Sequence, residues 1–204
     1  GTDNKALYET FILSTAEYIK SLDPNHMVSV GSEGSFGSEN DMDLYRRVHQ
    51  TEYIDYLTCH IWPKNWMWID HTDIPGSVER ATLLADQYLD EHIALAEALN
   101  KPIVLSEFGF PRDNHRYDRE DPVTARNEFY THIFNRLTLS AKDSGHFAGC
   151  NMWAWGGFAR PVNIFWQPGD DYCGDPAQEE QGLNSVFAED DTVPLIQRFV
   201  TMLH

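Results

Sequence analysis

Cysteine is scarce in this 204-residue chain, and its number, three, is odd. Cys59 and Cys150 fall inside apolar runs that read as strands. They and Cys173 therefore read as buried thiols and not as a disulfide framework, and no cysteine pair has zinc-ligand spacing. Positive charge is equally thin: 15 Lys and Arg stand against 32 Asp and Glu, a net charge of −17. Such a chain repels phosphate, which argues against nucleic acid and anionic membranes as partners and leaves neutral ligands or cations. No apolar run is long enough for a membrane span, nothing resembles a signal peptide, and neither a GxGxxG nor a Walker sequence occurs. Low-complexity tracts and charge blocks are absent too, so nothing in the composition points to disorder. The chain opens Gly-Thr-Asp without a methionine, as a processed or truncated start would.

What the chain has in quantity is aromatic surface. Phe, Trp and Tyr make up 13% of it, with six Trp, several of them in segments that read as loops. A core does not need Trp there, whereas a flat ligand such as a sugar ring stacks well on it. Hydrophobic residues amount to 42%, enough for a real core.

The apolar spacing predicts a helix over 5–20, then a break at "SLDPNH" and a short strand in "MVSVGSEG". A helix in "DMDLYRRVHQ" and a buried strand in "YIDYLTCHIW" follow, and an aromatic loop runs to residue 76. A long amphipathic helix covers 78–99, with Asn100 as its C-terminal cap and Pro102 preventing continuation. "PIVLSEF" is the next strand. Asp121 and Pro122 are placed to start the next helix as N-cap and first residue, and Gly145 to close it. "AGCNMWAWGG" reads as a further strand, 157–191 as irregular, and the last helix starts near Val193 and Pro194. One helix followed by βα units with no hairpin signal means a parallel sheet flanked by helices. An open doubly wound sheet and a (β/α)8 barrel both fit. Functional groups collect at the C-terminal ends of the strands, and no phosphate loop accompanies them, which favours the barrel. A whole barrel takes about 250 residues and eight strands; the four βα units here make about half of one, with two sheet edges and an apolar face left bare.

"KPIVLSEFGFPRD" ends an apolar strand on a lone carboxylate, Glu107. A carboxylate there is costly unless hydrogen-bonded or in use; a loop ion pair with Arg112 is the plain alternative. His60 and Trp62 end the preceding strand, and Trp153 and Trp155, two residues apart and so on one face of a strand, end the following one. His60 could hydrogen-bond a nucleophile or a sugar hydroxyl, and the tryptophans could floor a sugar site; core packing is the alternative for each. Trp66 and Trp68 are loop candidates for outer sugar sites. Glycoside hydrolysis with retention needs two carboxylates about 5–5.5 Å apart. Within this chain the second candidate is Glu33, which sits between glycines and could equally meet a substrate hydroxyl. Asp70, His71 and Asp73 have metal-ligand chemistry but no second cluster, and read as a polar loop.

Together "LDPNHMVSVGSEG", "CHIWPKNW", "KPIVLSEFGFPRD" and "NMWAWGG" resemble endo-β-1,4-mannanases of glycoside hydrolase family 5, in the family's order and along the whole chain. The resemblance implies a (β/α)8 barrel that hydrolyses β-1,4-mannosidic bonds with retention and without a cofactor or metal. It makes Glu107 the nucleophile ending the seventh strand. His60 and Trp62 match the residues after the sixth, Trp153 the tryptophan under the reacting sugar with Trp155 beside it, and Glu33 a substrate contact after the fifth. The family's acid/base glutamate lies in an Asn-Glu-Pro motif after the fourth strand, and no Asn-Glu-Pro occurs here. The expectation is therefore a C-terminal half barrel, residues 1–204 holding strands five to eight. Such a half is inactive without an N-terminal half from the same protein or a second chain, and its substrate is mannan or a manno-oligosaccharide. Such polysaccharides lie outside the cell, so a secreted, periplasmic or cell-surface location is expected. Another β-glycanase or exo-glycosidase of the same barrel class, or a non-catalytic carbohydrate-binding remnant, remains the alternative.

Overall fold

A computed structural model describes residues 4–114 and 118–203. Its centre is a three-stranded parallel sheet, β1 (Leu57–Ile61), β2 (Ile103–Phe108) and β3 (Phe147–Met152), in that spatial order. The connections are the helices α3 (Val78–Leu99) and α4 (Thr124–Lys142), so each βα unit returns the chain to the same end of the sheet. Leu57, Cys59 and Ile61 of β1 and Ile103 and Leu105 of β2 form one core with Ala81, Ala85 and Leu89 of α3 and Phe129, Ile133 and Phe134 of α4. α5 (Thr192–Met202) closes against α4, with the Phe134 and Phe199 rings 5.2 Å apart. Helix α1 (Lys5–Leu22) and helix α2 (Met42–His49) pack together beside β1.

The predicted strand in "MVSVGSEG" runs extended but does not join the ladder. Asp55 donates its N–H to the Val28 carbonyl (2.8 Å), and the Asp55 carboxylate accepts from the Val28 N–H (2.6 Å). Further on, the Ser32 carbonyl accepts from Thr58 Oγ1 (3.0 Å) and the Glu33 carbonyl from the His60 N–H (3.1 Å). A side chain takes ladder positions that backbone groups would fill, so the segment lines β1 without regular pairing.

The register between strands carries one irregularity that matters. Cys59 faces Leu105, but the next residue, His60, faces Glu107, and on the other side Leu105 and Phe108 face Cys150 and Met152. Strand β2 therefore holds one residue more than either neighbour around Ser106, a β-bulge. Side chains alternate along a strand, so from Leu105 a regular continuation would turn Glu107 to the helix side. The bulge turns it to the inner side with His60.

Two ends differ from the sequence expectation. Helix α4 starts at Thr124, not at Asp121 and Pro122, and its first N–H groups are held by Asp113, whose carboxylate accepts from Thr124 (3.2 Å) and Ala125 (2.9 Å). The last predicted strand is two: β3 stops at Met152, a cis peptide joins Trp153 to Ala154, and Trp155–Gly157 forms β4, paired in parallel with β5 (Val186–Phe187). Asn100 caps α3 as expected, in the left-handed conformation (φ 52°) with its N–H on the Ala96 and Glu97 carbonyls.

The stretch 157–191 is irregular in backbone but densely held by side chains. Arg126, fully buried, donates to the carbonyls of Phe110, Leu183 and Ser185. Arg112, also fully buried, makes a two-toothed pair with Asp190 (2.9 and 2.7 Å) and lies over the Phe187 ring. The Asp175 carboxylate accepts from the Gly182 N–H and from Ser185 Oγ, each at 2.8 Å.

Two surfaces are bare. α1, at the β1 end of the sheet, exposes Leu7, Phe11, Tyr18 and Leu22, and at the other edge β3 has no further strand beside it among the described residues. Among the described residues no helix is long and apolar enough to cross a membrane.

Candidate active site

All three strands of the sheet deliver residues to one cleft of about 260 Å³ at their C-terminal ends. Glu33, Trp62, Asn65, Trp66, Glu107, Trp153, Pro176 and Glu179 line it. Glu107 sits at its wall with the inner face of β2 below. His60, nearly buried, brings Nδ1 to 3.3 Å from Glu107 Oε2. Burial pulls the His60 pKa down to about 4. At neutral pH the ring is uncharged and stands beside the carboxylate as a neutral neighbour. The Glu107 pKa moves the other way, raised first by burial and then by the negative charge of Glu33 across the cleft. Arg112 is committed to Asp190, so the plain alternative of a loop ion pair for Glu107 does not hold.

Glu33 is carried by a rigidly held turn. Its carbonyl accepts from the His60 N–H and from the Tyr88 hydroxyl (2.6 Å), and the Ser35 N–H donates to His92 Nε2 (2.9 Å). Between them, Gly34 has φ 94°, and a Cβ there would lie 2.5 Å from both His92 Nε2 and the Tyr88 hydroxyl. Only glycine fits. The carboxylate of Glu33 is left pointing into the cleft wall while its backbone is tied down.

The tryptophans divide. Trp153 stands against Trp62, ring centres 6.1 Å apart and nearly perpendicular. Its N–H donates to the Phe108 carbonyl (2.7 Å), and Gly109 lets its carbonyl come close, since a Cβ there would be 3.0 Å away. Trp155, beyond the cis peptide, lies on a different strand; its ring is exposed and does not line the cleft, so the expected shared face with Trp153 does not form. Trp66 lines the cleft with one edge and packs against Phe36 (4.2 Å) and Tyr88 (5.2 Å). Trp68 is buried in the core beneath it, which takes it out of reach of a ligand.

Asn65, Pro176 and Glu179 escaped the sequence reading. Asn65 had a signal, its place inside the aromatic "WPKNW" loop; 176–179 had none, being brought in by the fold of 157–191. Asp70 and Asp73 serve their own turn: Asp70 accepts from Thr72, and Asp73 from the Gly76 N–H. Among the described residues no group of three His, Cys, Asp or Glu is gathered as a metal site.

A parallel βα sheet with carboxylates and tryptophans gathered at the C-terminal ends of its strands is the arrangement of a (β/α)8-barrel enzyme. The comparisons say which. The whole chain, residues 1–204, matches the family described as GH family 5 beta-mannosidase-like, and it belongs to that family. A glycoside hydrolase family 5 mannosidase from Rhizomucor miehei is 32% identical and superposes with a TM-score of 0.86 over 96% of this chain and 48% of its own. An endo-1,4-beta-mannanase from the same fungus shares the fold, at 21% identity and a TM-score of 0.61. The mannan endo-1,4-beta-mannosidase 4 of Solanum lycopersicum is 28% identical over 158 residues, 72% of this chain and 36% of its own. The chain thus spans about a third of that plant relative and about half of the R. miehei mannosidase.

Proposed function

We propose that this chain is the C-terminal half, strands five to eight, of a retaining glycoside hydrolase that cleaves β-1,4-mannosidic bonds in mannans and manno-oligosaccharides. Glu107 is the nucleophile, and the observation that carries the reading is its position: turned inward by the bulge, 3.3 Å from neutral His60, and facing Trp62 and Trp153 across the cleft.

The chemistry follows from those contacts. A sugar seated on Trp153 presents its anomeric carbon to Glu107. One carboxylate oxygen attacks, the glycosidic bond breaks, and a covalent glycosyl-enzyme results. The departing oxygen takes a proton from a second carboxyl group, which then activates the water that releases the sugar. That acid/base glutamate belongs to the N-terminal half, on the same protein or a second chain, so residues 1–204 alone are inactive. His60 holds the attacking oxygen in place and, being neutral, does not compete for its charge. Glu33 hydrogen-bonds a substrate hydroxyl. A secreted, periplasmic or cell-surface setting goes with such a substrate.

The test is turnover of mannohexaose by this chain with its upstream half restored. Glu107→Gln is expected to lower kcat by about three orders of magnitude or more, since an amide cannot form the covalent intermediate. Near-normal rates would remove Glu107 from the role. Turnover by residues 1–204 alone would assign the acid/base to Glu33, which lines the same cleft as Glu107.

A further inference from the structure

Two side chains of α3 that do not line the cleft hold a residue that shares it with Glu107. The Glu33 carboxylate lines the cleft, and among the described residues no hydrogen bond or ion pair holds it. Its negative charge still acts on Glu107, second to burial in raising that group's pKa. A carboxylate with no partner of its own stands where its backbone puts it.

Tyr88 and His92 fix that backbone. They stand one helical turn apart on α3, both buried, and their polar atoms go to the turn from Glu33 to Phe36. The Tyr88 hydroxyl donates to the Glu33 carbonyl (2.6 Å) and accepts from the Phe36 N–H (3.4 Å). His92 Nε2 accepts from the Ser35 N–H (2.9 Å). The other ring nitrogen, Nδ1, lies 2.7 Å from the Tyr88 carbonyl, which can only accept, so the proton sits on Nδ1 and leaves Nε2 as the acceptor. Tyr88 thus sets the tautomer with which His92 holds the turn. The packing role of Tyr88 is separable from this one. Phe36 stacks on its ring at 5.2 Å and Trp66 meets it at 5.2 Å, contacts that a phenylalanine would keep. Among the described residues the hydroxyl bonds only to the turn.

We propose that Tyr88 and His92 are positioning residues for the reaction, which hold the backbone from Glu33 to Phe36 and so keep the Glu33 carboxylate in the cleft beside the attacking Glu107. This rests on the glycoside hydrolase reading above and deepens it. Released from the brace, Glu33 turns toward solvent, Glu107 loses a negative neighbour, and its proton comes off at lower pH. The other titratable groups around the pair are His60 of β1, 3.3 Å from Glu107, and Glu179, which lines the same cleft; the upstream acid/base joins them in the whole enzyme. His60 and His92 themselves have pKa values of about 4, so each variant is read against Glu33→Gln, which removes the Glu33 charge with both histidines in place.

The experiment is the pH profile of kcat/KM for mannohexaose, in the barrel assembled from this chain and its upstream half. Its acid limb reports the ionisation of Glu107 in the free enzyme. Glu33→Gln is expected to move that limb to lower pH. Tyr88→Phe moves it the same way and lowers kcat/KM on the plateau by about fivefold. In the double variant the limb stays where Glu33→Gln alone puts it. Gly34→Ala is the independent second variant: its Cβ, 2.5 Å from both the Tyr88 hydroxyl and His92 Nε2, pushes the turn from its own side and is expected to move the limb likewise. An acid limb unmoved by Glu33→Gln or by Tyr88→Phe, or shifts from these two that add in the double variant, would overturn the positioning role while leaving the hydrolase reading in place. Absence of cleavage by the parent would overturn the hydrolase reading, and the positioning role with it.

Discussion

Two kinds of buried ionisable residue respond to acid in opposite ways in this protein. His49, His60 and His92 are held to pKa values of about 4, in each case first by burial. Above the ordinary imidazole range they are neutral whether the chain is folded or not. As pH falls from 6.5 toward 4 the unfolded chain binds protons that the folded one does not, so stability is lost. For the fully buried His49 and His92 the loss is on the order of 3 kcal/mol each at the bottom of that window. His92 is the more consequential, since its Nδ1 is on the Tyr88 carbonyl and its Nε2 accepts from Ser35, next to the turn that carries Glu33. Protonating Nε2 removes that acceptor. Melting temperature is therefore expected to fall between about pH 6.5 and 4.5; a flat profile over that range would contradict the burial of these rings. Glu107 is the reverse case. Its pKa is raised, so the folded protein holds that proton better, and stability declines as pH rises through the window just above the usual carboxylate value. Glu107→Gln is accordingly expected to raise the melting temperature at neutral pH while it abolishes turnover, and a lower melting temperature would count against the cost of burying this carboxylate beside Glu33.

At the scale of elements, the sequence is legible where a signal is local. Asn100 ends α3 as read, because a left-handed cap needs only the residue itself and the turn before it. The start of α4 was misplaced at Asp121 because its cap is not local: Asp113, eleven residues before Thr124, reaches the first N–H groups. Asp113→Ala is expected to cost about 1 kcal/mol, measurable by urea unfolding, whereas Asp121→Ala leaves the helix start unaffected; the reverse order would restore Asp121 as the cap. The edge strand in "MVSVGSEG" has the right composition, but a carboxylate from Asp55 occupies its ladder position. No periodicity reveals that. Trp68 and Trp155 show the same limit for the site. Both stand in aromatic stretches, yet one is turned under Trp66 into the core and the other lies past the end of β3, on β4.

Across the whole molecule, what the sequence hid is held by contacts between distant residues. The segment 157–191 has the Gly, Pro and Asp of a loose loop, but Arg126 and Arg112, from the other side of the chain, fasten it through backbone carbonyls and Asp190. Breaking such a buried pair costs about 3–5 kcal/mol, because the surviving charge is left without a partner. This fastening brings Pro176 and Glu179 to the cleft. The opposite side of the molecule is the bare one. Leu7, Phe11, Tyr18 and Leu22 form a stripe on α1 with nothing over it. An apolar stripe of that size and an open sheet edge each favour association. Residues 1–204 on their own are expected to form dimers or larger species in analytical ultracentrifugation, and to become a single stoichiometric complex once the upstream half is added. A stable monomer with no affinity for that half would argue against the half-barrel reading.

The bulge at Ser106 gives this molecule a rule of parity. Facing reverses with each residue along a strand, and Glu107 lies two residues after Leu105, which faces the helices; only the extra residue taken up by the bulge turns it into the cleft. Regular pairing at unchanged length would exchange inside for outside, sending the carboxylate toward α4, whereas deletion of Ser106 would straighten the strand and leave the carboxylate opposite His60. In this stretch the extra residue and the bulge that absorbs it go together, and a strand that kept the length but paired regularly would hold the same letter and a different site.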